Sequence, residues 1–126
     1  MSVHVTEAVE NYLEAILMLS KSQPEVRATD ICAHMGYSRP TVSIAVKGMK
    51  ANTLIHVDEH NIITLTAEGL RVAEGVYERH TVLSKALMFL GVDEKTALED
   101  ACKIEHDISE ETFACLKRFM REHEKL

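Results

Sequence analysis

Tryptophan is absent from this chain, and aromatic residues make up only 5% of its 126 positions. The apolar fraction of 46% still suffices for a hydrophobic core, which must be built from Leu, Ile, Val, Ala and Met. No apolar run reaches the roughly 18 residues that a membrane-spanning helix needs, so no membrane partner is expected. The opening residues, MSVHVTEAVENYL, lack a basic start followed by an apolar block, and a secretory signal is not expected. Cysteine is scarce, odd in number and widely spaced: Cys32, Cys102 and Cys115. They make no disulfide framework, which points to a reducing environment, and a cytoplasmic location is expected. Also missing are a His-Glu-x-x-His zinc pattern, a Ser-His-Asp arrangement and a Gly-rich phosphate loop, so an enzyme is not expected.

The net charge of −6 looks wrong for a chain that meets nucleic acid, but its distribution matters more than its total. Between Val26 and Val57 stand Arg27, Arg39, Lys47 and Lys50 against Asp30 alone. The acids gather at Glu7, Glu10 and Glu14 and again from Asp93 to Glu111, where a bound cation can neutralise them.

Hydrophobic spacing and capping residues predict a mainly α fold. Thr6 caps a first helix to about Lys21, closed by Ser22, Gln23 and Pro24. Thr29 or Asp30 begins a short helix ended by Gly36. Ser38 caps a third, with Pro40 in its first turn and Val42, Ile44, Val46 and Met49 along it to about Ala51. Helix, Gly-containing turn, helix is the shape of the helix-turn-helix. Two β-type runs, Leu54 to Val57 and Ile62 to Leu65, flank a polar turn and read as a hairpin, completing a winged helix. Thr66 then caps a long helix reaching Leu90, stopped by Gly91. Asp93 caps a fifth helix and Ser109 a sixth that carries Phe113, Leu116, Phe119 and Met120. The expected organisation is a winged-helix DNA-binding domain over residues 1–75 and an all-helical metal-binding and dimerisation domain over 76–126.

In a helix-turn-helix the start of the second helix faces the bases. Here that start offers Ser38, Arg39, Pro40, Thr41 and Ser43. Hydroxyls reach phosphates or base edges, Pro and the Thr methyl pack on a thymine methyl, and Arg39 suits guanine or phosphate. Lys47 and Lys50 lie further along and suit phosphate, and His60 stands at the wing tip. Arg27 and Lys21 are weaker candidates, since each can be a solvated charge. A winged helix can also serve as a protein-interaction module.

A second pattern is Cys102-x-x-Glu105-His106, in a stretch that reads as helix. At 100° per residue the three side chains share an arc of about 100°. Thiolate, carboxylate and imidazole are groups that a divalent transition metal prefers. Asn11 and Glu14, three apart, share a face of the first helix, and His80 is embedded in the long one.

The chain resembles the diphtheria-toxin-repressor family of metal-dependent regulators, which includes the shorter manganese-transport regulators. The resemblance rests on Tyr12-Leu13-Glu14, Arg39-Pro40-Thr41-Val42-Ser43, Leu65-Thr66-x-x-Gly69, Arg79-His80, Gly91-Val92-Asp93 and Ala101-Cys102-x-x-Glu105-His106-x-x-Ser109. It implies the short two-domain form, without the SH3-like third domain of longer members. It also implies metal ligation at Asn11, Glu14, His80, Cys102, Glu105 and His106. Asn11 stands where relatives carry Asp or Met, and brings no charge. Cys102 matches the iron-responsive branch, whereas Glu14 matches the manganese branch. Ser84 and Leu98 occupy positions where longer members carry second-site ligands, so that version of a second site is not expected.

The thiolate favours softer ions and the carboxylates harder ones, which Fe(II) satisfies best and Mn(II) second, with Zn(II), Co(II) or Cd(II) as surrogates. The expected function is a metal-dependent repressor acting as a homodimer on a palindromic DNA operator, controlling metal-uptake genes. Its dimer surface is expected to use Leu98, Phe113, Leu116 and Met120, unless these residues simply close a monomer's core. The alternative is a winged-helix regulator that senses an oxidant or small ligand through its cysteine thiols.

Overall fold

The computed structural model describes residues 5–123; the outermost ends of both expected domains, 1–4 and 124–126, lie outside the described residues. Among the described residues the chain is mainly helical, with six helices and one two-stranded antiparallel sheet. It divides into two compact units, Met1–Glu74 and Gly75–Leu126.

The first unit opens with α1 (Glu7–Ser22), capped by the Thr6 hydroxyl, which accepts from the Val9 N–H at 3.2 Å. Helix α2 (Ala28–Met35) starts earlier than Thr29 or Asp30. Asp30 does not open the helix as its cap; from the third position its carboxylate reaches back to the Arg27 N–H at 2.8 Å. Gly36 ends α2 at φ 72°, a left-handed geometry that glycine adopts without strain. Helix α3 (Arg39–Ala51) is capped by Ser38, and Pro40 sits in its first turn, where a backbone N–H would have no helical acceptor.

The wing pairs β1 (Ile55–Val57) with β2 (Ile63–Leu65), Ile55 opposite Leu65 and Val57 opposite Ile63. Each strand is one residue shorter than its apolar run. Leu54 is taken up by the junction instead, donating to Met49 O at 2.9 Å and accepting from the Thr66 N–H at 3.1 Å. Likewise the Ile62 N–H is turned to the Asp58 carboxylate at 2.9 Å.

The long helix α4 (Ala67–Phe89) begins against this junction. Thr66 Oγ1 accepts from the Gly69 N–H at 3.1 Å and donates to Thr53 O at 2.7 Å. A β-carbon at Gly69 would collide with the Leu54 carbonyl oxygen. The glycine that weakens the helix by intrinsic propensity is therefore what lets it start flush on the wing. Leu13, Ile16, Ile31, Val42, Met49, Leu54, Ile55 and Ile63 form the buried centre of this unit. Each such side chain contributes about 1.5–3 kcal/mol on burial.

In the second unit α4 is followed by Gly91, at φ 103°, then by α5 (Glu94–Ile104) and α6 (Glu110–Glu122). Asp93 and Ser109 cap the two helices, accepting from the Lys95 and Thr112 N–H groups at 3.2 and 3.1 Å. Val82, Ala86 and Met120 are buried together, with Phe113 and Leu116 packed on them, and Lys117 of α6 pairs with Glu78 of α4. Among the described residues no helix is long and apolar enough to cross a membrane.

Candidate metal centre and nucleic-acid interface

Helix α3 buries Val42 and Met49 and leaves Arg39, Pro40, Thr41, Ser43, Lys47 and Lys50 exposed. Between α3 and the wing lies a groove of about 400 Å³ whose lining includes Arg27, Arg39, Ser43, Lys47 and Lys50, with no acidic side chain. Four cations on one concavity are the electrostatic footprint expected opposite phosphates. Arg27 is partly committed within the fold, donating to the His60 carbonyl at 3.3 Å and the Glu25 carboxylate at 3.1 Å. The Ser38 and Thr41 hydroxyls lie 2.8 Å apart at the N-terminus of α3.

His60 stands exposed in the wing turn, 3.6 Å from the Glu59 carboxylate. The turn is held by Asp58, whose carboxylate accepts from the Ile62 and His60 N–H groups at 2.9 and 2.8 Å, while Asn61 takes the left-handed conformation at φ 63°. The Ile62 N–H above all, joined by that of His60, holds the Asp58 carboxyl below its usual range. Behind α3, Tyr12 of α1 meets Tyr37 edge-on at 5.9 Å, and burial pushes the Tyr12 phenol above its ordinary value.

The sequence left one feature of this face unread. Ile44, grouped by its apolar character with Val42, Val46 and Met49, is 73% exposed. Two residues from Val42 means about 200° of turn, so helical spacing alone signals that Ile44 faces away from the core.

In the second unit, His80 of α4 and Cys102 and Glu105 at the end of α5 converge. One donor atom from each, the imidazole nitrogen, thiol sulfur and carboxylate oxygen, lie within 4.8 Å of one another. His80 Nδ1 is 2.9 Å from Glu105 Oε2, and His106 Nε2 is 3.4 Å from Glu105 Oε1. The Glu105 side chain is wholly buried and that of His106 nearly so, whereas Cys102 is exposed. Donors to one ion stand no more than about two bond lengths apart, roughly 4–5 Å. The cluster meets that limit with a mixed N, S and O donor set, so these residues fit a divalent transition metal.

One local expectation is corrected. Glu105 and His106 do not lie inside a helix: α5 ends at Ile104, and Glu105 is its C-cap. The Glu105 N–H still donates to Ala101 O at 3.0 Å, which keeps its side chain on the helical arc with Cys102. Asp107 then donates to Ile104 O at 3.0 Å, tightening the chain into a turn that carries His106. Arg79 fixes this turn, donating to the carbonyls of Glu105 and Ile108 at 3.2 and 3.0 Å while its guanidinium lies 5.3 Å from the Phe113 ring centre. Carbonyls at a helix end lack helical partners, and Arg79 supplies one. Its neighbour His80 reaches the Glu105 carboxylate, so adjacent residues of α4 bond both the backbone and the side chain of Glu105.

Asn11 and Glu14 belong to the first unit. They lie half-buried on α1 and line a depression of about 220 Å³ with Met18, His34 and Met35. Of the expected dimer residues, Leu98 is exposed, Phe113 and Leu116 are half-buried, and Met120 is buried with Val82 and Ala86. Met120 therefore fills the place that core closure gives it. Phe119 turns outward, 45% exposed, and stacks on His123 at 4.0 Å with Phe89 6.4 Å away.

Two family models match the chain in order: iron dependent repressor, N-terminal DNA binding domain, over residues 4–61, and iron dependent repressor, metal binding and dimerisation domain, over residues 66–125. The transcriptional regulator MntR of Escherichia coli O157:H7 is 35% identical over 120 residues, covering 95% of this chain and 77% of the relative. An HTH-type transcriptional regulator of Methanocaldococcus jannaschii is 31% identical over 118 residues, covering 92% and 94%. Among solved structures, the manganese regulator SloR superposes with a TM-score of 0.79 at 28% identity over 90% of this chain. The present chain spans about half of that protein, 53% of its length.

Proposed function

This chain belongs to the iron-dependent repressor family of metal-dependent transcriptional regulators, and on that footing we propose that it represses metal-uptake genes as a cytoplasmic homodimer, with a divalent metal as co-repressor. One observation carries the metal half of this reading: the convergence of His80, Cys102 and Glu105 within 4.8 Å. The cationic groove along α3 supports the DNA half.

When bound, the ion supplies charge neutralisation and a bridge among its donors. His80, Cys102, Glu105 and His106 are the proposed ligands of the second unit. Asn11 and Glu14 are proposed as further donors, on the strength of the family pattern. The Cys102 thiol argues for Fe(II) as the co-repressor; the relatives named as manganese regulators argue for Mn(II). Arg39, Ser43, Lys47 and Lys50, with Ser38, Pro40 and Thr41, form the proposed DNA face, supported by Arg27 and His60. Two such faces in a dimer suit a palindromic operator, with half-sites about one DNA turn, roughly 34 Å, apart. The dimer contact is proposed to draw on Leu98, Phe113 and Leu116.

Selection from a random duplex pool tests the proposal. With Mn(II), or with Fe(II) under anaerobic conditions, the chain should enrich an inverted repeat. Enrichment of the same repeat in chelator, or of none under any condition, would reject it.

A further inference from the structure

We propose that Ile44 is a specificity-determining residue that reads a thymine methyl group in the operator. The inference rests on the DNA-binding reading of α3 and deepens it.

Ile44 is 73% exposed, whereas Val42 and Met49 of the same helix are 0% and 1% exposed. Ala45 and Val46 pack against the core, so the inward face of α3 is complete without Ile44. Its neighbours one turn away, Pro40, Thr41, Lys47 and Gly48, are all exposed. A β-carbon at Gly48 would meet nothing within 4 Å, so the surface beside Ile44 is open. Helix propensity does not explain the residue either: a β-branched side chain at a solvated helical position is a poorer choice than Ala, Gln, Lys or Arg.

The chemistry of the surroundings narrows the ligand. Ile44 stands on the helix that presents Arg39, Lys47 and Lys50, and one turn past Thr41. Arg39, Lys47 and Lys50 line the groove and suit an anionic partner; Ile44 stands outside that lining, one turn from Lys47 on the exposed side of the same helix. In the major groove the apolar feature on base edges is the thymine C5 methyl. An isoleucine cannot hydrogen-bond to guanine or adenine, so it favours thymine by contact and disfavours bases whose polar edges it would desolvate. The occupant inferred is therefore an A·T pair with its thymine turned to α3.

The test is a double-mutant cycle on the duplex that metal-loaded protein enriches from a random pool. Each thymine is replaced in turn by deoxyuridine, which removes only the methyl. For the unmodified chain one thymine per half-site, distinct from any read by Pro40 or Thr41, should lose about fourfold in affinity, the worth of one buried methyl. In Ile44→Ala that same replacement should have no further effect, while the responses of the other thymines persist. An equal deoxyuridine penalty in both proteins, or no thymine that responds, would overturn the assignment. So would a change of oligomeric state in Ile44→Ala with thymine dependence intact, which would make Ile44 a protein contact. Circular dichroism separates these results from misfolding, and Ile44→Gln, which keeps a full-length helix-favouring side chain, should lose the same methyl dependence. If the unmodified chain enriches no sequence, the DNA-binding reading itself falls, and this assignment with it.

Discussion

His80 Nδ1 and Glu105 Oε2 stand 2.9 Å apart, joining the middle of α4 to the end of α5 through a carboxylate with no exposed surface. A carboxylate is buried this completely only where charged or hydrogen-bonding groups compensate its lost hydration. Here the His80 imidazole is hydrogen-bonded to Oε2, and the His106 imidazole stands 3.4 Å from Oε1. His80 and Glu105 also converge with Cys102 within 4.8 Å, so Glu105 is the proposed anionic donor of the metal site.

Glu105→Gln keeps the shape of the side chain and removes its charge. The variant is expected to remain helical and dimeric but to lose most metal-induced stabilisation. For the unmodified protein that stabilisation is about 2.7 kcal/mol at a hundredfold excess of ion over Kd. Thermal unfolding with and without Mn(II) measures it; an unchanged metal-dependent rise in melting temperature would remove Glu105 from the ligand set.

Arg79 is expected to act through the turn it holds. Arg79→Ala frees the carbonyls of Glu105 and Ile108 and should cost about 1–3 kcal/mol of stability. It should also weaken metal affinity without removing any ligand. Arg79→Lys, which keeps charge but not the fork of donors, should recover only part of either effect. Isothermal titration with Mn(II) alongside denaturant unfolding separates the two.

Cys102 is exposed and is the proposed soft donor. Cys102→Glu should shift preference toward Mn(II) and abolish the thiolate-to-metal charge-transfer absorption of the Co(II) complex. Peroxide treatment of the metal-free protein should block ligation by oxidising this thiol. Were the metal-free protein to bind DNA and release it on peroxide treatment, the thiol-sensing alternative would take precedence.

Two glycines of α4 should respond with opposite sign. Gly69→Ala sets a methyl against the Leu54 carbonyl and should destabilise by about 1–3 kcal/mol. Gly75→Ala meets nothing within 4 Å and should stabilise by roughly 0.5–1 kcal/mol through helix propensity. Denaturant midpoints of the two variants check both.

The wing should weaken in acid. The Asp58 carboxyl is held below its ordinary range by the Ile62 and His60 N–H groups, so the folded protein binds this proton less readily than the unfolded chain does. Its stabilising effect is therefore complete above the unfolded value, about 3.9, and is lost as pH falls through the folded one. A carboxyl titration followed by NMR should place Asp58 below the ordinary aspartate range, and Asp58→Ala should erase the acid-dependent loosening of residues 58–62.

Much of this architecture was legible because caps and breakers act locally. Thr6, Ser38, Thr66, Asp93 and Ser109 all mark helix starts, and Gly36 and Gly91 mark ends with positive φ. What sequence could not give depends on contacts made across the chain. Gly69 reads as a weak point until Leu54 is placed against it. Glu105 and His106 read as helix because the three-residue spacing holds through Glu105, and only the hydrogen bonds of Arg79 and Asp107 reveal the turn. Met120 and Phe119 are adjacent in one apolar run, yet one is buried and the other exposed, a division made by Val82 and Ala86 of a different helix. Ile44 is different, since its own spacing from Val42 already turns it outward.

The most direct test of the account is the affinity of the chain for its selected duplex, measured by fluorescence anisotropy at fixed salt in chelator, in Mn(II) and in anaerobic Fe(II). Coupling between metal and DNA predicts tighter binding by roughly 5- to 150-fold with at least one of the two ions. The same gain should be absent from Glu105→Gln. Equal affinity in chelator and in both ions would contradict the claim that metal controls the DNA-binding face.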